Sequence, residues 1–145
     1  MIKIICLGKI KEAYLNGLID DYQKRINKYH KLSIIELKDT DNLSEEKEAI
    51  LKNIDSRDYV IACTLEGNML NSLELAELID KTFITNPTIT FVIGSSTGIH
   101  EDVKRRANYL LSFSKLTYPH GLFRGILLEQ IYRSCKINNH ESYHK

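Results

Sequence analysis

The chain has 145 residues, of which 43% are hydrophobic and 27% charged, and its formal net charge is +1. These values are typical of one soluble globular domain, here residues 1–145, and exclude a strong overall field favouring nucleic acid or a membrane surface. A local basic patch remains compatible with RNA binding, although such clusters are more often solvated faces. The clusters are Lys9 with Lys11; Lys24, Arg25, Lys28 and Lys31; and Lys104, Arg105 and Arg106.

The first half of the chain alternates apolar β-branched runs with amphipathic segments. Its predicted elements are a buried strand over 2–7, a helix over about 12–29, a strand over 32–37, a short peripheral helix capped by Ser44, and a strand over 59–65. A turn over 66–68 follows. Asn71 and Glu74 then have the spacing of a capping box, which predicts the start of a third helix.

The second half continues the alternation. We predict a buried strand over 88–93, a loop over 94–98 between Gly94 and Gly98, a charged helix over about 100–109, a strand over 110–116, a polar elbow over 117–121, and a long helix beginning at Leu122. The tail, 138–145, is polar and by default disordered. Such alternation predicts an α/β fold, with a mostly parallel sheet and helices on both of its faces.

Ligands of parallel α/β sheets bind beyond the carboxyl ends of the strands. Three such ends are polar and turn-like, at 65–67, 94–98 and 115–121, and they converge if their strands are neighbours. Neither G-x-G-x-x-G nor G-x-x-x-x-G-K-S/T is present. The elbow therefore fits either an ordinary connection or a place where backbone N–H groups face a ligand.

The spacing of the cysteines and histidines indicates whether the protein binds a metal ion and in which cellular compartment it is found. The number of cysteines is odd, and the three lie far apart in apolar surroundings: Cys6, Cys63 and Cys135. This pattern indicates reduced core residues of a cytoplasmic protein. No H-E-x-x-H or C-x-x-C spacing occurs, so we expect no metal site. The apolar first eight residues are too short for a signal peptide or a membrane span, so we also expect no membrane contact.

Several segments together resemble a known family, the ribosomal RNA large-subunit methyltransferase H family of the SPOUT class. They are Phe91-Val-Ile-Gly94 with Gly98, the run 111–120 with Leu122 and Arg124, Glu129-Gln-Ile-Tyr-Arg133, and the terminal Tyr143-His144-Lys145. The opening strand and the Tyr22-Lys24-Arg25 helix match as well, so the resemblance runs end to end. The Thr-x-Pro-His elbow with the Tyr-Arg helix and the Tyr-His-Lys end is its most specific part.

The resemblance implies a trefoil knot in the C-terminal half, a homodimer, and S-adenosyl-L-methionine held in the knot. The implied substrate is a pseudouridine of 23S rRNA, methylated at ring nitrogen N3 in the assembled ribosome. By motif, the implied cofactor-binding residues are Leu65, Gly94, Phe113, Ser114, Lys115, Leu116, Thr117 and Tyr118.

Methyl transfer is mainly a positioning task, but N3–H must lose its proton, so a nearby base or positive charge would help. The candidates are His120, Arg124, Tyr143 and His144. In the family the tail helps to complete the active site near the dimer interface. Arg133 is either an interface or phosphate contact, or a salt-bridge partner of Glu129 four residues earlier.

Three features depart from the family pattern. Ser95 stands where a second glycine is usual, the 65–67 segment is shorter than usual, and Gly125 replaces a bulky apolar residue in the last helix. If position 95 needed a positive φ, serine would cost about 1 kcal/mol or more. These departures keep open a non-catalytic ribosome- or RNA-binding paralogue with weakened cofactor affinity. A further alternative, a nucleotide-binding domain of another kind, is supported only by the alternating pattern and the two glycines of the loop.

Overall fold

The computed structural model describes all 145 residues as five strands and five helices. In chain order they are β1 (Ile2–Leu7), α1 (Ala13–Ile26), β2 (Leu32–Leu37), α2 (Leu43–Lys52), β3 (Asp58–Met69), α3 (Ser72–Thr85), β4 (Thr88–Ile93), α4 (Glu101–Arg106), β5 (Tyr109–Ser112) and α5 (His120–Asn138). The strands form one sheet in the order β2-β1-β4-β3-β5, and all neighbours are parallel. The predicted fold class is confirmed, and the C-terminal trefoil knot stays a prediction.

Helices cover both faces of the sheet, as predicted. One core cluster joins the sheet to α1, α3 and α5 through residues such as Ile19, Ile79 and Leu127. A smaller cluster on the other face joins it to α2 and α4 through Ile50 and Val103. The sheet is therefore buried on both sides, which is why its central strands read as continuous apolar runs.

The strand β1 contains one cation among its apolar residues. Lys3 is buried, and its Nζ lies 2.9 Å from Oδ2 of Asp58, the first residue of β3. The Thr90 hydroxyl on the intervening strand β4 also donates to Oδ2 of Asp58, at 3.0 Å. Burial opposes ionisation of Asp58, but these hydrogen bonds outweigh it and lower the pKa of its carboxyl below the usual range.

Several helix ends differ from the predictions. The N-cap of α2 is Asn42 rather than Ser44, because the Asn42 side chain accepts from the N–H groups of Ser44 and Glu45. The predicted capping box of Asn71 and Glu74 is confirmed at α3. The helix α4 is shorter than predicted and ends at Arg106, since the chain then joins the sheet as β5.

Two predictions around the last strands are wrong. The segment 66–68 is not a turn: β3 continues to Met69 after a shift of register against β5 between Cys63 and Asn68. The last strand, predicted over 110–116, ends at Ser112. Beyond it an irregular segment leads to α5, which begins at His120, two residues before the predicted start.

Close helix packing explains the glycines at the start of α5, which packs against α1. A Cβ at Gly121 would lie 2.9 Å from Leu15 Cδ1, and one at Gly125 would lie 2.6 Å from Leu18 Cδ2. The absent side chains let the two helices approach closely. Gly125 therefore offsets some of its weaker helix propensity by packing.

Candidate functional site

A cavity of about 570 Å³ opens beyond the carboxyl ends of β3, β4 and β5. Because these strands are neighbours in the order β4-β3-β5, the segments that follow them meet, as the sequence predicted. Its lining comprises residues 63–66, 93–96, 98–99, 104, 111, 113–114, 116–120 and 123. This volume is in the range of small-molecule and cofactor sites.

The structure brings most of the predicted binding residues together at this cavity. Those lining it are Leu65, Gly94, Phe113, Ser114, Leu116, Thr117 and Tyr118, while Lys115 is not part of the lining. His120, one of the four predicted catalytic residues, also lines the cavity, as the first residue of α5. The other three lie elsewhere.

The loop after β4 is compact and depends on its two glycines. A Cβ at Gly94 would lie 2.5 Å from the carbonyl oxygen of Gly98, and Gly98 has a φ of +92°. Ser95 does not have a positive φ, so the serine adds no backbone strain. The conditional cost considered for Ser95 therefore does not arise.

The Ser95 side chain instead ties this loop to α2. Its hydroxyl donates to Oε1 of Glu46 at 2.9 Å, and it accepts from the Thr97 N–H at 3.3 Å. Glu46 is 2% exposed, and its Oε2 accepts from the Thr40 N–H at 3.3 Å. The buried Glu46 carboxylate, which accepts hydrogen bonds from neutral donors only, thus holds the loop after β4 against α2.

The second wall is the irregular part of β3. A Cβ at Gly67 would lie 2.7 Å from the backbone of Leu110, so only glycine allows this approach to β5. The residues between Cys63 and Gly67 lie opposite the break in strand pairing and reach the cavity. At the rim Glu66 pairs with Lys104 at 2.5 Å, and this hydrogen bond lowers the pKa of the Glu66 carboxyl.

The elbow supplies an aromatic wall. Phe113 and Phe123 pack edge to face with ring centroids 5.0 Å apart, and Tyr118 stacks on Phe123 at 6.0 Å. The Ser114 hydroxyl accepts from the Leu116 N–H at 2.8 Å, which shapes the turn before Pro119. The cavity therefore has one aromatic side, and the segments after β3 and β4 form its other two sides.

Arg124 does not line the cavity. It is 3% exposed, its Nη1 donates to Oε2 of Glu36 at 2.6 Å, and its Nη2 donates to the carbonyl of Gly8 at 3.1 Å. These contacts tie the first turns of α5 to the ends of β1 and β2. Within one chain, Arg124 orients the helix that carries His120.

The C-terminal tail packs on the far half of α5. The Tyr143 hydroxyl donates to Oε1 of Glu129 at 3.0 Å, and His144 Nδ1 lies 3.1 Å from Arg133 Nη1. Burial, together with hydrogen bonds involving Tyr22 and Glu129, raises the pKa of Tyr143. At 1.5 Å per helical residue, Arg133 is about 20 Å along α5 from His120. One chain therefore does not bring Tyr143 and His144 to its own cavity.

Arg133 makes the salt bridge that its spacing from Glu129 allowed, with its Nη2 2.5 Å from Oε1 of Glu129. An interface or phosphate contact by Arg133 stays a prediction. Sequence reasoning missed Thr64, Lys104 and the contact between Glu46 and Ser95. Glu46 precedes the buried Ile50 by one helical turn, and this spacing was the signal that it faces inward. Lys104 and Thr64 carried no such local signal.

The cysteines are free, and burial raises the pKa of each thiol, to about 11 for Cys6 and Cys135 and about 12 for Cys63. No group of three or more His, Cys, Asp and Glu side chains is arranged to hold a metal ion. None of the helices is both long enough and apolar enough to cross a membrane.

Comparison with known proteins gives three findings. A family model described as "Predicted SPOUT methyltransferase" matches residues 1–144. The chain is 51% identical over 157 aligned residues to the ribosomal RNA large subunit methyltransferase H of Clostridium novyi (strain NT), and 49% identical to that of Clostridium botulinum (strain Okra / Type B1), with 99% of both chains covered in each case.

The third finding concerns a solved structure, the probable methylase family protein from Haemophilus influenzae Rd KW20. It matches with a TM-score of 0.57 and 15% identity, over 99% of this chain and 70% of that one. At this identity the likeness shows a shared fold.

Proposed function

The chain belongs to the SPOUT methyltransferases and, within them, to the ribosomal RNA large subunit methyltransferase H family, and from this we propose that it methylates N3 of a 23S rRNA pseudouridine in the assembled ribosome. S-adenosyl-L-methionine is the cofactor of this class, and when bound it supplies an electrophilic methyl group. The observation that carries the proposal is the single cavity formed by the segments after β3, β4 and β5.

The cavity fits this cofactor in size and chemistry. Its volume suits a molecule of that size, and the aromatic side formed by Phe113, Tyr118 and Phe123 suits a purine. We propose that the backbone groups of Leu65, Gly94 and residues 113–118 hold it there. Lys115 is the exception among these residues, because it is not part of the cavity lining.

The four candidate catalytic residues then take different roles. His120 lies at the cavity and can accept or orient the N3 proton. Arg124 acts through α5 as a positioning residue, because its guanidinium is engaged by Glu36 and Gly8. Tyr143 and His144 reach a reaction centre only if it belongs to a second copy, so we propose a homodimer in which each tail completes the partner's site.

The direct test mixes the purified protein, methyl-labelled S-adenosylmethionine and ribosomes from cells lacking this modification. We expect label at one pseudouridine of ribosomal rRNA and none in free rRNA. Label in free rRNA alone would contradict the assembled-ribosome requirement. Binding of the cofactor without label in either substrate would favour the non-catalytic paralogue.

The homodimer has its own test. His144→Ala in one subunit and His120→Ala in the other are co-expressed with different affinity tags, and the mixed dimer is isolated. If each active site combines His120 of one subunit with His144 of the other, one site of the mixed dimer carries both changes and the other carries neither. We then expect the mixed dimer to keep about half of the wild-type activity, while each homodimeric variant is impaired. Full activity of the His144→Ala homodimer would remove this residue from the mechanism.

Docking on the ribosome would use distributed basic side chains, since the net charge is small. Arg105 is an exposed candidate, whereas the guanidinium of Arg106 donates to the carbonyls of Asp55 and Asp58. Ribosome affinity should fall as salt is added, and Arg105→Ala should reduce this salt dependence. An unchanged salt dependence would remove Arg105 from the docking surface.

A further inference from the structure

Thr64 has a side-chain hydroxyl that the fold leaves without a partner. Only two buried side-chain nitrogen or oxygen atoms lack a hydrogen bond, Oγ1 of Thr64 and Nε of Arg124. The guanidinium of Arg124 makes two other hydrogen bonds through its terminal nitrogens. Thr64 itself is half-buried, but its Oγ1 is buried and its side chain has no other polar atom, so this side chain makes no hydrogen bond within the protein.

The position of Thr64 explains why the fold offers it no partner. It lies in β3 directly after Cys63, where the pairing with β5 breaks and resumes only at Asn68. The interrupted pairing leaves this stretch of β3 beside the cavity, and Thr64 is part of the cavity lining. A hydroxyl in this place can both donate to and accept from a molecule in the cavity.

We propose that the Thr64 hydroxyl is a direct hydrogen-bonding contact to a polar group of S-adenosylmethionine. This inference rests on the proposed cofactor and adds a side-chain contact to a site otherwise built from backbone groups. The hydroxyl makes no hydrogen bond within the protein, and a polar group of the cofactor would supply one. Thr64 thus contributes to affinity without contributing to the stability of the fold.

Thr64→Val tests this, because valine has nearly the same shape and lacks the hydroxyl. We expect isothermal titration calorimetry with S-adenosylmethionine to show about 10-fold weaker binding, the effect of losing one buried hydrogen bond and leaving its partner unpaired. The midpoint of thermal unfolding without cofactor should stay the same or rise. A residue with a purely structural role would instead lower that midpoint.

Two further variants control the experiment. Thr64→Ser keeps the hydroxyl and should bind with nearly wild-type affinity. Thr90→Val makes the same chemical change at a buried threonine that does have a partner, Asp58, away from the cavity. It should lower the unfolding midpoint and leave cofactor affinity unchanged, the reverse of the Thr64→Val result.

The outcomes separate this inference from the proposed function. If the wild-type protein binds S-adenosylmethionine and Thr64→Val binds it equally well, the contact is refuted while the cofactor proposal stands. If the wild-type protein does not bind S-adenosylmethionine, the cofactor proposal itself fails, and the contact fails with it. Weaker binding by Thr64→Val with restored affinity in Thr64→Ser would establish the contact.

Discussion

Replacing Ser95 with alanine tests whether the buried contact to Glu46 holds the loop after β4. Alanine can adopt the backbone conformation of Ser95, because its φ is not positive, so the change removes only the hydroxyl. The change removes the hydrogen bond from this hydroxyl to Oε1 of Glu46 at 2.9 Å, together with the contacts of the hydroxyl to Thr97. The Glu46 carboxylate, which is 2% exposed, then keeps one long contact, from the Thr40 N–H at 3.3 Å.

The magnitude follows from the charge of the acceptor. Hydrogen bonds to charged groups contribute about 1.5–3 kcal/mol, and an unsatisfied buried partner adds to the loss. We therefore expect Ser95→Ala to lower the free energy of unfolding by about 2 kcal/mol. For a domain of 145 residues this corresponds to a fall of roughly 4–10 °C in the melting temperature.

Urea denaturation followed by circular dichroism measures this change, and a double-mutant cycle with Glu46→Ala assigns it to the pair. The coupling energy should be about 1–2 kcal/mol, because either single change already breaks the contact. S-adenosylmethionine affinity of Ser95→Ala should fall as well, since the loop lines the cavity. A change in unfolding free energy below about 0.5 kcal/mol, or additive effects in the cycle, would refute the reasoning.

Three other predictions concern ionisable groups. The lowered pKa of the Asp58 carboxyl contributes stability at neutral pH that is lost as the pH falls below about 4. Asp58→Asn should therefore be less stable than wild type at pH 7, and the difference between their urea midpoints should narrow toward pH 2. Glu36→Ala should lower the free energy of unfolding by about 3 kcal/mol, because it leaves Arg124 buried with its charge unpaired; a urea midpoint equal to that of wild type would contradict this. Because burial raises the pKa of the Cys63 thiol to about 12, native protein at pH 8 should resist iodoacetamide until urea is added, as mass spectrometry can show.

Local sequence signals were sufficient for much of the fold. The bounds of β1, β2 and β4 agree with the predictions, because each is an apolar β-branched run closed by a glycine or a polar residue. The capping box at Asn71 is likewise a contact within four residues, which a sequence pattern can specify. The resemblance of the elbow and tail motifs to a known family supplied the role proposed for the cavity, which periodicity alone left open.

Only the tertiary structure decided the contacts that join distant segments. The register break in β3 depends on how closely Gly67 approaches the backbone of β5, so it left no turn signal of the expected kind. Arg124 reads as a catalytic candidate from its motif, yet it pairs with Glu36, 88 residues away in sequence. Tyr143 likewise packs beside Glu129, on the half of α5 away from the cavity.

The physical reason is the range of the interactions. Strand and helix propensity, capping and apolar periodicity act over a few residues and are therefore written in the sequence nearby. Which buried polar groups find partners depends on elements that meet only after the sheet has formed, as Glu46 meets Ser95. The sequence by itself thus determined the order of elements and the place of the cavity, whereas folding decided which polar side chains find a hydrogen-bond partner and which, like Thr64, do not.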